Sequence, residues 1–148
     1  MDDKDLALFA VFNEIGIINQ LSSAVFQARL PEGMHISHFS VLNHLVRLGD
    51  GRTPLSIANA FQVPKTTMTH TLSGLEKRGL IVMAPNPDDG RSKVVLLTDA
   101  GRQTRDAAIA AMADPIRTLS DGVGRAEVLA LLPKLEALRK FLDDNRGI

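Results

Sequence analysis

The sequence predicts a mostly α-helical chain that carries one small β-hairpin, and three observations lead to this fold class. Apolar residues recur at three-and-four spacing along most of the chain, which is typical of amphipathic helices. The pattern changes to short, continuous β-rich runs only within residues 80–97. Glycines and prolines mark most of the boundaries between these stretches. The 148 residues, of which 45% are hydrophobic and 23% charged, suit one folded domain.

The composition also excludes several classes of function. Cysteine is absent, which removes disulfide frameworks, thiolate catalysis and cysteine-bound zinc. No nucleophile elbow, glycine-rich phosphate loop or zinc-protease motif is present, so we expect no enzyme. The acidic N-terminus lacks a signal-peptide pattern, and no uninterrupted apolar run approaches the ~18–20 residues of a membrane span. We therefore expect a cytoplasmic protein with no membrane partner and no cofactor.

The first predicted element is a long helix over residues 5–29. Its apolar stripe is wider than one narrow face, which predicts a helix that buries two sides. Pro31 and Gly33 are expected to end it. The residues that define the stripe at three-and-four spacing are Leu8, Val11, Ile15, Ile18 and Val25.

Three shorter helices are predicted next. Ser37 is the expected N-cap of the second helix, and Gly49 closes it. Thr53-Pro54 reads as the N-cap and first residue of the third helix. Gln62-Val63 form a tight turn, after which Pro64 opens the fourth helix. The residues expected to face inward are Val41, Leu42, Leu45, Leu48, Leu55, Ala58, Phe61, Met68, Leu72 and Leu75.

A β-hairpin and further helices complete the prediction. The runs 80–83 and 94–97 read as strands, with Pro85 stopping the first, and a polar loop with an Asp-Gly turn signal joins them. Thr98 is the expected N-cap of a long helix that includes Pro115. A last leucine-rich helix contains Pro133, which either kinks that helix or marks a late start.

The order helix, two-residue turn, helix and hairpin predicts a winged helix-turn-helix, which places its second helix in the major groove of DNA. Residues 62–105 hold seven Lys and Arg against four acidic residues, although the whole chain has seventeen of each sign. With the apolar stripe inward, the fourth helix exposes hydroxyl and basic side chains that suit phosphates and base edges. An ordinary solvated polar face is the alternative. The candidates for DNA contact here are Thr53, Lys65, Thr66, Thr67, Thr69, His70, Ser73 and Lys77.

The hairpin carries a more specific pattern. Asp89-Gly90-Arg91 is followed by five residues and then Leu97-Thr98, which resembles the D-x-R-x5-L-T wing signature of the MarR family of bacterial transcriptional regulators. The segments 65–69, 75–80 and 98–101 are similar to that family in the same order and spacing. The resemblance is specific over about residues 37–105.

The resemblance implies one domain over residues 1–148 that forms a homodimer. Dimerisation helices would lie at 5–30 and 106–148, and the winged helix-turn-helix lobe would span 37–105. The implied function is that of a ligand-responsive repressor that binds a pseudo-palindromic double-stranded operator. A winged helix that binds another protein instead of DNA is the alternative, although such modules usually lose the cationic wing.

In the wing, Arg91 is expected to enter the minor groove, where a narrow groove has enhanced negative potential. Asp89 would orient Arg91 or a turn amide, because a carboxylate repels phosphate. The wing candidates for DNA contact are Asp89, Arg91, Ser92 and Lys93. The chain departs from the family at His70 and Gly74, where relatives often carry basic residues.

The sequence offers two further candidate sites. By analogy with the family, a small aromatic or phenolic effector would bind near residues 12–20 and 35–48, and the candidates facing it are His35, His38, Phe39 and Arg47. Core packing plus a surface arginine is the favoured alternative for these four residues. A metal-responsive regulator was also considered, because His35, His38 and His44 are close in sequence, but we predict no metal site.

Overall fold

The computed structural model describes residues 2–147 and divides into two compact units, one ending at Ala111 and the other beginning at Met112. The first unit contains α1 (Asp3–Gln27), α2 (Ile36–Leu48), α3 (Pro54–Phe61), α4 (Lys65–Lys77), β1 (Ile81–Pro85), β2 (Lys93–Leu97) and α5 (Asp99–Ala110). The second unit contains α6 (Ala113–Val123) and α7 (Arg125–Asp144). The predicted fold class, mostly helical with one hairpin after a helix-turn-helix, is confirmed.

The core of the first unit lies between α2, α3, α4 and the hairpin. Its fully buried side chains come from every one of these elements. Two predicted core residues are wrong, because Leu48 and Leu55 are both about half exposed. Ile57, which the sequence reading did not single out, takes the central place in α3 and is completely buried. The largest buried side chains are Met34, Leu42, Leu45, Ile57, Leu75, Ile81, Val41 and Val95.

The starts of α2 and α4 differ from the prediction by one or two residues. The N-cap of α2 is His35 rather than Ser37, because the His38 ring reaches back to accept a hydrogen bond from the His35 backbone N–H at 2.9 Å. Pro64 is the N-cap of α4 and not its first helical residue. The turn between α3 and α4 is as predicted, with Gln62 in the left-handed region at φ 53°.

The hairpin is antiparallel, with a register that runs from Ile81 opposite Leu97 to Pro85 opposite Lys93. Pro85 therefore ends β1 as a paired residue and does not stop the strand before it. The loop before α3 adds a short bridge to β2, since Gly51 N–H donates to the Val95 carbonyl and Val95 N–H to the Arg52 carbonyl, both at 2.8 Å. These contacts attach the hairpin to the helical core along its base.

The base of the wing is also attached to α5. Thr98 caps α5 as predicted, with its Oγ1 accepting the Gly101 N–H at 3.0 Å. The same hydroxyl donates to the Gly79 carbonyl at 2.7 Å, and Thr98 N–H donates to the Leu80 carbonyl at 3.2 Å. Gly101 is buried against β1, so close that a Cβ there would lie 2.1 Å from the Leu80 carbonyl oxygen.

Helix α1 begins two residues earlier and ends two residues earlier than predicted. Asp2 and Asp5 form a reciprocal capping box at its start. It ends at Gln27, four residues before Pro31, and the Gln27 side chain bonds the Met34 carbonyl and the Ile36 N–H. Within the described chain none of its side chains is buried, so its broad apolar surface faces outward.

Helix α1 also corrects the expectation that no candidate membrane span exists. It is long and apolar enough to cross a membrane by length and composition alone, with a mean hydropathy of 1.3 over an 18-residue window. Polar residues are scattered among the apolar residues of α1, so a search for uninterrupted apolar runs does not detect this helix.

In the second unit, α6 and α7 pack against each other. The long helix predicted after Thr98 is broken, because α5 ends at Ala110 and α6 begins at Ala113. Pro115 falls in the first turn of α6, where proline is tolerated. Helix α7 begins at Arg125, so Pro133 lies inside the helix and a late start is ruled out.

Candidate nucleic-acid interface

Helix α4 presents two chemically distinct faces. Met68, Thr71, Leu72 and Leu75 are buried in the core, with the threonine hydroxyl donating to the Thr67 carbonyl at 3.2 Å. The opposite face is exposed and carries hydroxyl, imidazole and ammonium groups. Its exposed members are Lys65, Thr66, Thr67, Thr69, His70 and Lys77, as predicted, and Ser73 is half-buried at its edge. The acidic residue of α4, Glu76, is exposed in the last turn.

The exposed face suits a polyanion because of how its side chains are arranged. Lys65 lies at the N-terminal end of α4, where the free backbone N–H groups also favour negative charge. The Thr69 hydroxyl donates its proton to the Lys65 carbonyl at 2.9 Å, so its oxygen remains able to accept a hydrogen bond from a base edge. Small threonine side chains allow the helix axis to approach a groove closely.

The tip of the wing is ordered by its own hydrogen bonds. Asp89 Oδ1 accepts bonds from the Arg91 backbone N–H at 3.1 Å and the Arg91 Nε at 3.4 Å. The Arg91 side chain is nevertheless 95% exposed. An ion pair this exposed contributes little to stability. Asp89 thus contacts both the backbone and the side chain of Arg91, and its orienting role stays a prediction.

Two candidate residues have internal structural roles. Ser92 Oγ accepts from Asn86 Nδ2 at 2.9 Å and donates to the Asp89 carbonyl at 3.2 Å, so this hydroxyl shapes the wing tip. Thr53 Oγ1 accepts the Ser56 N–H at 3.2 Å as the N-cap of α3. Lys93, at the start of β2, is exposed.

The local basic excess predicted for residues 62–105 is smaller on the surface than in the sequence. Arg105 of α5 reaches toward α2, where its Nε and Nη2 donate to Asn43 Oδ1 at 3.0 and 2.8 Å. Its Nη1 pairs with Asp106. Arg78 Nη2 donates to the Glu32 carbonyl at 2.8 Å. Both arginines therefore make contacts within the fold, although Arg78 remains exposed, and the other exposed cations of residues 62–105 lie on α4, on the wing and, as Arg102, on α5.

The four predicted effector residues do not converge on one site within the described chain. His35 and Arg47 are both exposed and stand twelve residues apart on or beside α2, which is about 18 Å along a helix. Phe39 packs edge-on against Phe26 of α1, with ring centroids 4.5 Å apart. His38 is buried and bonded to the start of α2. The contacts of Phe39 and His38 are those expected from the alternative of core packing.

Within residues 2–147, no group of three or more His, Asp or Glu side chains is placed to hold a metal ion. The rings of His35 and His38 stack at 5.6 Å, but His38 Nδ1 already accepts a backbone hydrogen bond. His44 packs against Phe61 instead, at 5.3 Å between ring centroids.

Buried His38 and half-buried His44 both favour the neutral form. Burial lowers the pKa of His38, and the nearby His35, Arg78 and His70 lower it further. Burial likewise lowers the pKa of His44, with contributions from Arg52 and Arg47.

Sequence reasoning missed the contact between His38 and Gly74. A Cβ at Gly74 would lie 2.7 Å from His38 Nε2, so a buried ring occupies the space of a side chain. The departure from the family at Gly74 was visible in the sequence, but its cause was not, because the two residues are 36 positions apart.

Comparison with known proteins agrees with this geometry. Residues 32–92 match the sequence model of the MarR family. The transcriptional regulator BldR from Sulfolobus solfataricus has a similar structure, with TM-score 0.75 and 26% identity over 97% of this chain and 99% of that chain. A MarR variant from E. coli complexed with operator DNA gives TM-score 0.72 and 22% identity, covering 93% and 99%.

Bordetella bronchiseptica BpsR, whose DNA binding is regulated by 6-hydroxynicotinic acid, gives TM-score 0.71 and 22% identity, covering 88% of this chain and 98% of that chain. The family match covers the α2–α4 core and the wing tip, and the similarity of fold extends over nearly the whole chain. Residues 32–92 are therefore similar to the MarR family, and the chain shares the winged helix-turn-helix fold of solved transcriptional regulators.

Proposed function

We propose that this protein binds a pseudo-palindromic operator as a homodimer and represses transcription there. The observation that carries the proposal is the pairing, within one compact unit, of an exposed hydroxyl and basic face on α4 with the exposed Arg91 of the wing. Helix α4 would enter the major groove, and Arg91 the adjacent minor groove. The relative from E. coli that was solved with operator DNA supports this arrangement.

A homodimer accounts for the apolar surface of α1. A folded monomer rarely exposes a large contiguous apolar patch. The large α1 side chains that are at least 38% exposed are Leu6, Leu8, Phe9, Val11, Phe12, Ile17, Ile18, Leu21 and Val25. Asn13, Glu14, Asn19 and Gln20 interrupt this surface near the middle of the helix. A charged and amide-bearing midpoint is costly in lipid, so a second copy of the chain in the cytoplasm is the favoured partner.

Helix α7 supports the same assignment. Its exposed large apolar side chains are Leu129, Leu131, Leu132, Leu135, Phe141 and Leu142. Helix α7 therefore offers a second apolar surface that association with another copy of the chain would bury. In a two-fold dimer the two copies of α4 would read half-sites about one helical turn, 10–10.5 bp, apart.

Effector control is the second part of the proposal. A small aromatic acid or phenol would act by shifting the population of dimers between different spacings of the two α4 helices. BpsR, which responds to 6-hydroxynicotinic acid, supports this class of ligand. Because the predicted effector residues do not converge in one chain, the site would need the partner subunit or a different set of residues.

The test is in vitro selection from a random-sequence duplex library at about 0.15 M ionic strength and pH 7.5. We expect enrichment of an inverted repeat with the half-site spacing given above. A folded dimer that enriches nothing would contradict the proposal and favour the alternative of a protein-binding winged helix. The basic wing, with Arg91 and Lys93 both exposed, favours DNA over that alternative.

A further inference from the structure

His38 lies where α2 begins and performs a task usually given to glutamate or glutamine. It occupies the third position of the helix, and its Nδ1 accepts the backbone N–H of the N-cap residue His35 at 2.9 Å. In a capping box, the third residue makes this same contact. Because Nδ1 accepts a hydrogen bond, it carries no proton, and the neutral ring must carry its proton on Nε2.

The other edge of the same ring meets the DNA-reading helix. A Cβ built on Gly74 would lie 2.7 Å from His38 Nε2 and 3.5 Å from both Cδ2 and Cε1. The imidazole therefore fills the position that a side chain of α4 would take. The two helices pack here with the His38 ring of α2 directly against the Gly74 backbone of α4. Gly74 is one turn after His70 and one turn before Lys77, so this contact lies on the same side of α4 as those two exposed residues.

The surroundings of His38 oppose a positive charge. The titratable and charged groups that act on it are His35 at the start of α2, and Arg78 and His70 on or beside α4. All three are cations or become cations in acid. The side chain is only 8% exposed, and burial is the main cause of its lowered pKa. A proton on Nδ1 would also turn the capping acceptor into a donor that faces the His35 N–H.

We propose that neutral His38 is a positioning residue that holds α4 in place against α2, and that protonation of His38 loosens this contact and weakens operator binding. The proposal rests on the proposed function, since α4 must be the helix that reads DNA. It predicts an effect of acid opposite to that of His70. A proton on the exposed His70 adds positive charge to the DNA-facing surface and strengthens binding.

The first experiment separates the two histidines. Dissociation constants for the selected duplex are measured from pH 7.5 to 5.5 in a His70→Gln background, with His38 intact or changed to glutamine. Glutamine retains a capping acceptor but cannot be protonated. With His38 present we expect affinity to fall about three- to tenfold, within the range that one linked proton allows. The His38→Gln protein should lose most of that fall, and an equal fall in both would overturn the proposal.

A second experiment needs no DNA, so it distinguishes a failure of this inference from a failure of the proposed function. The chain has only four histidines, and nitrogen-15 spectra of the labelled wild-type protein report the tautomer of each ring. We expect His38 as the Nε2–H tautomer, and the backbone amides of residues 71–75 should shift with its titration. An Nδ1–H tautomer, or α4 amides that do not respond, would overturn the positioning role even if the protein binds DNA.

Rescue tests the contact itself. Gly74→Ala should weaken binding to the selected duplex at pH 7.5, because its Cβ would displace the ring or the helix. In a His38→Gln background the added Cβ meets a flexible side chain instead of the ring. The fold-loss of DNA affinity caused by Gly74→Ala should then be at least threefold smaller than in the wild-type background, by double-mutant comparison. Equal losses in the two backgrounds would show that Gly74 acts without His38 and would contradict the proposal.

Discussion

Replacement of Gly101 by alanine should destabilise the first unit, although alanine is the better helix former. A Cβ at Gly101 would lie 2.1 Å from the Leu80 carbonyl oxygen and 2.8 Å from Leu97 Cδ1. The leucine side chain can move, but the carbonyl oxygen belongs to the backbone and also accepts the Thr98 N–H. Helix α5 and the chain entering β1 must therefore separate by roughly 1 Å.

The magnitude follows from two opposing effects. Overpacking costs about 1–3 kcal/mol, and the gain in helix propensity from glycine to alanine is up to about 1 kcal/mol. Because the clash is with backbone, the overpacking cost lies in the upper part of that range, about 2–3 kcal/mol, and we expect a net loss of about 1–2 kcal/mol in the free energy of unfolding. That corresponds to a melting temperature lower by roughly 3–8 °C for a chain of this size.

The assay is urea unfolding followed by circular dichroism, with all proteins at one concentration because dimerisation couples to stability. Gly122→Ala is the matched control, since Gly122 is a helical glycine whose added Cβ would meet nothing within 4 Å. It should leave the midpoint unchanged or raise it slightly. A Gly101→Ala protein at least as stable as wild type would refute the close packing of α5 on β1.

The remaining predictions concern DNA, pH and the dimer. Arg91→Ala should cost about 1–3 kcal/mol in affinity for the selected duplex, measured by fluorescence anisotropy, and unchanged affinity would exclude its minor-groove role. Lys65→Ala should weaken all duplexes alike and lower the slope of log affinity against log salt by about one. Because the pKa values of His38 and His44 are lowered in the fold, the unfolded chain takes up protons first, at about pH 6.5. The free energy of unfolding, measured by urea titration, should therefore be greatest above about pH 6.5 and should decrease as the pH falls toward the lowered pKa values of the folded state. The decrease should be smaller in a protein in which His38 and His44 are both changed to glutamine. Phe12→Glu should shift sedimentation toward the monomer, and an intact dimer would argue against α1 as the interface.

Local signals made much of the fold predictable. Thr53, Thr98 and Gln62 mark helix boundaries through their own side chains or backbone angles, and the structure places each boundary there. The strands of the wing follow from β-rich runs on either side of an Asp-Gly turn. The helix boundaries depend on residues within four positions of one another, which is the range that a single sequence reports well.

Two errors concern where a helix begins and how it is rotated against the core. Ser37 has the better capping chemistry, but His38 reaches back and moves the N-cap to His35. The choice between Leu55 and Ile57 depends on how α3 is rotated against β2, and periodicity over eight residues does not determine that rotation.

The candidate DNA-binding face on α4 was predictable because exposure follows from the buried stripe of the same helix. The internal engagement of Arg105 with Asn43 was not, since those partners are 62 positions apart. The contact between His38 and Gly74 was hidden for the same reason. A sequence reveals a missing side chain, but only the fold reveals what occupies its place.

The central claim is that α4 and the wing meet DNA together, and site-directed cleavage tests it most directly. The chain has no cysteine, so Asp88→Cys gives one attachment point for an iron chelate beside Arg91. Lys140→Cys, on α7, is the control. On the selected duplex we predict two cleavage clusters related by the dyad, both in the minor groove flanking the half-sites, and weaker cleavage from the control. Cleavage confined to the major groove, or no cleavage from a bound dimer, would contradict this account.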